Sequence, residues 1–286
     1  MAQFTNQAQL SYGNVVTSSN IATGEILEAL TVTKTALVDT YSAGDTVTYI
    51  ISIVNSSATP LTGLSITDNL GAYTFGAGEL VPLDYVDGSV KYYIDGVLQA
   101  EPTVSAGAPL VISGITVNGN GSTIVAYEAS VNSFAPLGID SSITNTATLA
   151  GAGITPVEAS ETITVASTPI ISITKSISPV PVAPNGLVSY TFVIENRGNT
   201  PLVATDNAVI TDIFDPILSN LSVTFNGTPW EEGVNYTYNE ATGEFASVPS
   251  QIVVDAGSYQ QLPNGAWSIT PGVATLVVTG NIGSIA

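Results

Sequence analysis

Along nearly the whole chain, short runs of β-branched and aromatic residues alternate with polar ones, and Gly, Asn, Pro and Asp separate the runs. Thr46-Val47-Thr48-Tyr49-Ile50-Ile51-Ser52-Ile53-Val54 and Leu187-Val188-Ser189-Tyr190-Thr191-Phe192-Val193-Ile194 are examples. A period of two marks strands with one face buried, and helical periodicity is hard to find. Many short strands with frequent turns predict an all-β chain built of β-sandwiches.

The pattern repeats. Leu30-Thr31-Val32-Thr33-Lys34-Thr35 matches Ile171-Ser172-Ile173-Thr174-Lys175-Ser176. Thr46–Val54, then Asn55, matches Leu187–Ile194, then Glu195-Asn196. Leu64-Ser65-Ile66-Thr67-Asp68 matches Ala208-Val209-Ile210-Thr211-Asp212, and Thr123-Ile124-Val125-Ala126 matches Thr275-Leu276-Val277-Val278. Two similar domains follow, expected at 29–166 and 167–286, behind an extension at 1–28.

The repeat is out of frame with the chain ends. The first copy continues into Ile143-Thr144-Asn145-Thr146-Ala147-Thr148-Leu149 and Glu158–Val165, and the second stops at Ala286 without such a segment. Phe4-Thr5-Asn6-Gln7-Ala8-Gln9-Leu10 supplies one at the other end. The offset to the following lysine agrees: 34 − 6 = 28 against 175 − 145 = 30. The N-terminus therefore reads as the final strand, or strand pair, of a domain whose body lies elsewhere. A sandwich lacking that piece exposes an apolar slot and unpaired backbone groups. Donor-strand complementation solves this: residues 2 to about 28 of one chain fill the slot of another, anchored by Phe4, Ala8, Leu10 and Tyr12. Such a contact is head to tail and yields a fibre or ring of identical copies. Two alternatives stay open, an extra strand on its own domain and a fold-back onto its own second domain.

Alternation also assigns faces. Lys34 points with Leu30, Val32 and Ala36, and Lys175 with Ile171, Ile173 and Ile177. Asp68 points with Leu64, Ile66 and Leu70, and Asp212 with Ile210 and Phe214. Asn145 lies with Ile143, Ala147 and Leu149, and Asn6 with Phe4, Ala8 and Leu10. Each domain thus buries one Lys, one Asp and one Asn, provided the second borrows Asn6. Isolated buried ions cost on the order of several kcal/mol each. A neutral Lys amine is a nucleophile. Its attack on the Asn side chain, with loss of ammonia, leaves an amide and removes the buried charge. The expected bonds are Lys34–Asn145 within the chain, assisted by Asp68, and Lys175–Asn6 between chains, assisted by Asp212. The competing reading is a buried Lys–Asp ion pair with Asn as its hydrogen-bond partner. Glu128 is a rival acid in the first domain, but its counterpart by the match above is Gly280.

Composition narrows the function. The 286 residues include no His and no Cys, which removes the usual zinc site, the thiolate nucleophile and the histidine base. No cofactor or metal is implied. A net charge of −19, from 4 Lys+Arg against 23 Asp+Glu, argues against nucleic acid as a partner and favours a soluble fibre. No run approaches a membrane span, and the start has no basic and apolar leader. Either the ends are trimmed or the protein leaves its cell without the general secretion route. Asn118-Gly119-Asn120-Gly121-Ser122 reads as a hairpin turn rather than a phosphate loop, and Asn55-Ser56-Ser57 as a turn rather than a glycan acceptor.

The inward Lys on the first strand, Thr67-Asp68-Asn69-Leu70 in mid-domain and Thr144-Asn145-Thr146-Ala147-Thr148 near the end resemble a known family. This is the conserved repeat domain of bacterial surface proteins, catalogued as domain of unknown function eleven and common in Gram-positive species. The resemblance implies an immunoglobulin-like β-sandwich of surface stalks and adhesins, some of whose relatives carry Lys–Asn isopeptide bonds helped by an acid. Members are usually secreted and wall-anchored, and this sequence departs on both points. The expectation is a structural subunit of an extracellular filament, pilus-like or spore-appendage-like, with catalysis limited to single-turnover self-cross-linking. An adhesin or glycan-binding stalk is the alternative, and its receptor is not readable.

Overall fold

The computed structural model describes residues 2–26 and 30–283; residues 27–28 of the expected extension lie outside them. The protein is all-β, with one 3-10 turn at Ala204–Asp206, and takes the expected immunoglobulin-like sandwich class. Its contacts divide it into two units, one of Met1–Asp39, Gly44–Asn132 and Ile143–Ile163, the other of Thr40–Ala43, Ser133–Ser142 and Thr164–Ala286.

In the first unit, one sheet runs in the order Val97–Leu98, Lys91–Ile94, Ser122–Val131, Thr46–Asn55, Leu30–Ala36. The facing sheet runs Thr103–Ser105, Leu110–Val117, Leu61–Asp68, Ser142–Ala150, Val157–Val165. Alternation builds the core: Val47, Tyr49, Ile51 and Ile53 from one sheet and Leu64, Ile66, Ile112 and Leu149 from the other are buried. The strand carrying Asp68 is central, with Leu110 opposite Asp68 on one side and Ala147 on the other. The strand carrying Asn145 seats closely. Gly71, at φ +74°, leaves room for Ile143, whose Cγ2 would lie 2.5 Å from an added Cβ. Asn69 pins the same strand, its backbone N–H donating to Thr146 O and its Oδ1 accepting from Thr146 N.

The second unit repeats the first sheet as Ile171–Ser178, Leu187–Asn196, Gly272–Ile282, Leu218–Phe225, Thr228–Trp230. Its other sheet holds only Thr211–Ile213, Glu244–Ser247 and Tyr236–Asn239, with Thr211–Ile213 at an edge. Asp212 faces Phe245 on one side, and among the described residues no strand takes the other. The place held by Ser142–Ala150 in the first unit is empty here. Every residue of Ile171–Ser178 is exposed, including Ile171, Ile173 and Ile177.

The N-terminal segment is a strand pair. Ala2–Asn6 pairs with Ala22–Ile26 and Gln9–Tyr12 with Val15–Ser18, and these strands join neither unit's sheets. Thr5 lies opposite Thr23, as Thr144 meets Thr162 through their hydroxyls in the first unit. Unlike Ser142–Ala150, the first strand is interrupted at Gln7–Ala8. There Gln7 Nε2 donates to Ser19 O and Ala8 N to Ser19 Oγ.

Predicted turns fall where turn chemistry put them. Asn118–Gly121 joins Leu110–Val117 to Ser122–Val131. Asn55, fully buried, donates through Nδ2 to Thr59 O and accepts from Ser57 through Oδ1, so its amide closes the turn. Asn196 closes the matching turn onto Thr200 O.

One sequence match shifts by a residue. Thr123 lies opposite Ile53, and Ala274, not Thr275, lies opposite the equivalent Ile194. The counterpart of Glu128 is therefore Thr279 rather than Gly280, and that of Tyr127 is Val278. Both strands are rich in Val and Ala near this point, so the letters alone admitted either register, and each register buries the opposite face.

Candidate functional site

Four strands meet at one buried constellation in the first unit. Lys34 Nζ donates to Asp68 Oδ2 at 2.6 Å, and both side chains are 0% exposed. Tyr127 Oη donates to the same oxygen at 2.7 Å and accepts from Asn145 Nδ2 at 3.0 Å. Asp68 Oδ1 accepts from Leu70 N at 3.0 Å. Asn145 is fully buried, and its Oδ1 has no hydrogen-bond partner among the described residues. Asp68 thus reaches Asn145 through Tyr127, and the amide carbonyl is left unsolvated. An unpartnered buried carbonyl costs about 1–3 kcal/mol.

Burial pushes Lys34 down from 10.5 to about 8, against the opposing pull of Asp68 and of Glu161. Its ammonium lies 4.8 Å from the Tyr49 ring centre. Burial first, then Asp68, pushes the Tyr127 phenol well up, so it keeps its proton. The lowered lysine has a consequence wherever Lys34 stays an amine. Between about pH 8 and 10.5 the unfolded chain holds a proton that folded Lys34 has released, so raising the pH through this window stabilises the fold. Below about 8 both states carry the charge and the contribution is flat. Asn145→Ala, which cannot form the amide, is expected to show a urea midpoint that rises across this window. Lys34→Met in the same background should remove the rise.

In the second unit Lys175 Nζ donates to Asp212 Oδ2, so the sequence-equivalent pair also meets. Here the side chains are 39% and 18% exposed. Lys175 sits 4.6 Å from the Tyr190 ring centre and 5.2 Å from that of Phe214. Among the described residues no asparagine hydrogen-bonds this pair, and Val278 replaces the tyrosine. Beside it opens an apolar recess of about 240 Å³ lined by Ile177, Val188, Tyr190, Pro216 and Ile282. Pro216 follows Asp215, the counterpart of the Gly71 on which Ile143 sits.

Asn6 is exposed on the N-terminal hairpin, as are Phe4 (54%), Ala8, Leu10 (63%) and Tyr12 (62%). Phe4 occupies the position of Ile143, which in the first unit is 2% exposed. Strand alternation pointed all six Lys, Asp and Asn side chains inward; Lys34, Asp68 and Asn145 are buried, whereas Lys175 is 39% exposed and Asn6 is exposed. The same alternation puts Tyr127 inward, between Val125 and Ala129. Glu128 is exposed and does not join the constellation.

No protein-family model matches the chain, and no curated protein matches it, so the sequence resemblance to the conserved repeat domain gains no support there. Solved structures do match. The collagen-binding subdomain of the Enterococcus faecalis surface protein ACE is 11% identical, covers 49% of this chain and 99% of its own, and has a TM-score of 0.31. BcpA, the major pilin subunit of Bacillus cereus, is 13% identical, with 95% of this chain and 73% of its own covered and a TM-score of 0.37. The pilus backbone RrgB of Streptococcus pneumoniae is 14% identical, with 85% and 55% covered and a TM-score of 0.35. This chain thus spans about half the length of the pneumococcal backbone protein.

Proposed function

We propose that the protein is a structural fibre subunit that polymerises head to tail, each N-terminal hairpin completing the second unit of another copy. The observation that carries this reading is the pairing of a vacancy with a spare part. The second unit has a free edge at Thr211–Ile213 where the first has a strand pair, and an unattached strand pair with the matching sequence is exposed at the N-terminus. In the register of Ser142–Ala150, Ala8 of the incoming hairpin lies opposite Asp212, Leu10 opposite Ile210, and Phe4 enters the 240 Å³ recess. A strand added to a sheet edge gains affinity from backbone hydrogen bonds and specificity from alternate side chains.

Asn6 then arrives beside Lys175 and Asp212, as Asn145 lies beside Lys34 and Asp68. The bonds Lys34–Asn145 and Lys175–Asn6 follow, each releasing one ammonia, the first internal and the second joining subunits. The fibre lies at a cell or spore surface, and its partner is further copies of itself.

Boiling denaturing electrophoresis of assembled protein, with the intact mass of each band, tests this. The expected result is a ladder of multimers, each short of the summed mass by one ammonia per bond. Asn6→Ala should collapse the ladder and leave monomers still lacking one ammonia. A single monomer band of full calculated mass would rule out both bonds. Monomers lacking two ammonias would place the hairpin in its own chain.

A further inference from the structure

We infer that Tyr127 is a proton relay in the internal cross-linking reaction, a part that the second site lacks. The inference rests on the cross-linking reading above. Tyr127 Oη lies between the carboxylate that takes a proton from lysine and the nitrogen that must leave: 2.7 Å from Asp68 Oδ2 and 3.0 Å from Asn145 Nδ2. No hydrogen bond joins Asp68 to Asn145 directly. All four groups are buried, so water does not carry the proton.

The step balances as follows. Lys34 ammonium gives one proton to Asp68, and the free amine attacks Asn145 Cγ. Asp68 passes that proton to the Tyr127 oxygen as the phenol proton moves to Nδ2, and the C–N bond to ammonia breaks. The second proton on the attacking nitrogen goes to Asp68. The products are a secondary amide, ammonia and a protonated carboxyl; no oxidant, reductant or metal takes part.

The two sites therefore differ in kind. Val278 stands opposite Tyr190 where Tyr127 stands opposite Tyr49. The second site holds lysine and aspartate at a partly exposed position, with Val278 in the register place of the tyrosine. Its proton transfer runs directly or through solvent.

The test follows the full-length chain folding for the first time, from inclusion bodies dissolved in denaturant and at full calculated mass, with intact mass recorded against time. Tyr127→Phe removes one oxygen and keeps the ring stacked 5.6 Å from Tyr49. Removal of a positioned proton donor slows a reaction about a hundredfold or more. The internal ammonia loss is expected to slow by about that factor, while the inter-subunit ladder forms at the wild-type rate. Wild-type protein that loses no ammonia would overturn the cross-linking reading itself. Wild-type protein that loses ammonia, with Tyr127→Phe losing it equally fast, would overturn the relay and leave the cross-link standing. The wild-type chain provides a second reading that needs no variant: internal bond formation should be slower in deuterium oxide, and an unchanged rate would overturn the relay.

Discussion

Deleting residues 2–26 is expected to abolish fibres and leave a chain whose second unit is open along one edge. The unpaired strand Thr211–Ile213 has Ile213 64% exposed, and beside it Ile171, Ile173 and Ile177 are 41%, 52% and 43% exposed. The strand of the first unit that corresponds to Ile171–Ser178, Leu30–Ala36, has its inward residues half-buried or buried, in the unit whose facing sheet includes Ser142–Ala150. Exposed edges and apolar strips favour association, so the truncated chain should bind the missing piece in trans. A synthetic hairpin of residues 2–26 is expected to bind with one-to-one stoichiometry, measured by calorimetry, and to protect the amides of Thr211–Ile213 from exchange. Fibres from truncated protein, seen by electron microscopy, would exclude strand donation as the polymerisation mechanism. The two open alternatives are distinguished in the same experiment. A fold-back onto its own second unit would leave the full-length protein monomeric with those amides already protected, and an extra strand on its own first unit would leave it monomeric with them unprotected.

The fold was legible because period-two patterning is a direct imprint of a two-sheet core. Thr46–Val54 and Leu187–Ile194 could be placed, and faced, from letters alone. Lys34, Asp68 and Asn145 were legible for the same reason: each lies in phase with Leu and Ile, and all three are buried, Lys34 on Asp68 and Asn145 linked to that carboxylate through Tyr127. Register between copies was less legible. Around Thr123 and Ala274 β-branched residues recur on both faces, so the letters fit either register, and the Tyr127–Val278 difference shows only once the strands are paired. The tyrosine was also masked by its type, since an aromatic in a strand reads as packing. Its hydroxyl acquires a role only when strands distant in sequence bring Asp68 and Asn145 to either side. The break at Gln7–Ala8 has no period signature at all, because it arises from a mismatch with Ser19–Ile21 across the hairpin.

Replacing Asn145 by Ala is expected to produce the largest loss of stability available from a single substitution. The internal bond would close a loop of 145 − 34 = 111 residues. Restricting the unfolded chain over roughly a hundred residues contributes about 5 kcal/mol in the chain-entropy account. Without the amide, folding also buries a Lys34 ammonium that the bond would otherwise neutralise, and the pair with Asp68 only partly offsets that cost. At about 2–4 °C per kcal/mol for a domain of this size class, the melting temperature should fall by about 10–20 °C. The size of the effect separates the two readings of the site. If Lys34, Asp68 and Asn145 form only a hydrogen-bonded ion pair, removing the asparagine deletes one bond to Tyr127. That costs about 1 kcal/mol, or somewhat more if the tyrosine hydroxyl is left unsatisfied. Calorimetric unfolding of wild type and Asn145→Ala, each with its intact mass known, decides between them. A large drop with ammonia missing only from wild type establishes the covalent reading, and a small drop at equal mass deficits removes it.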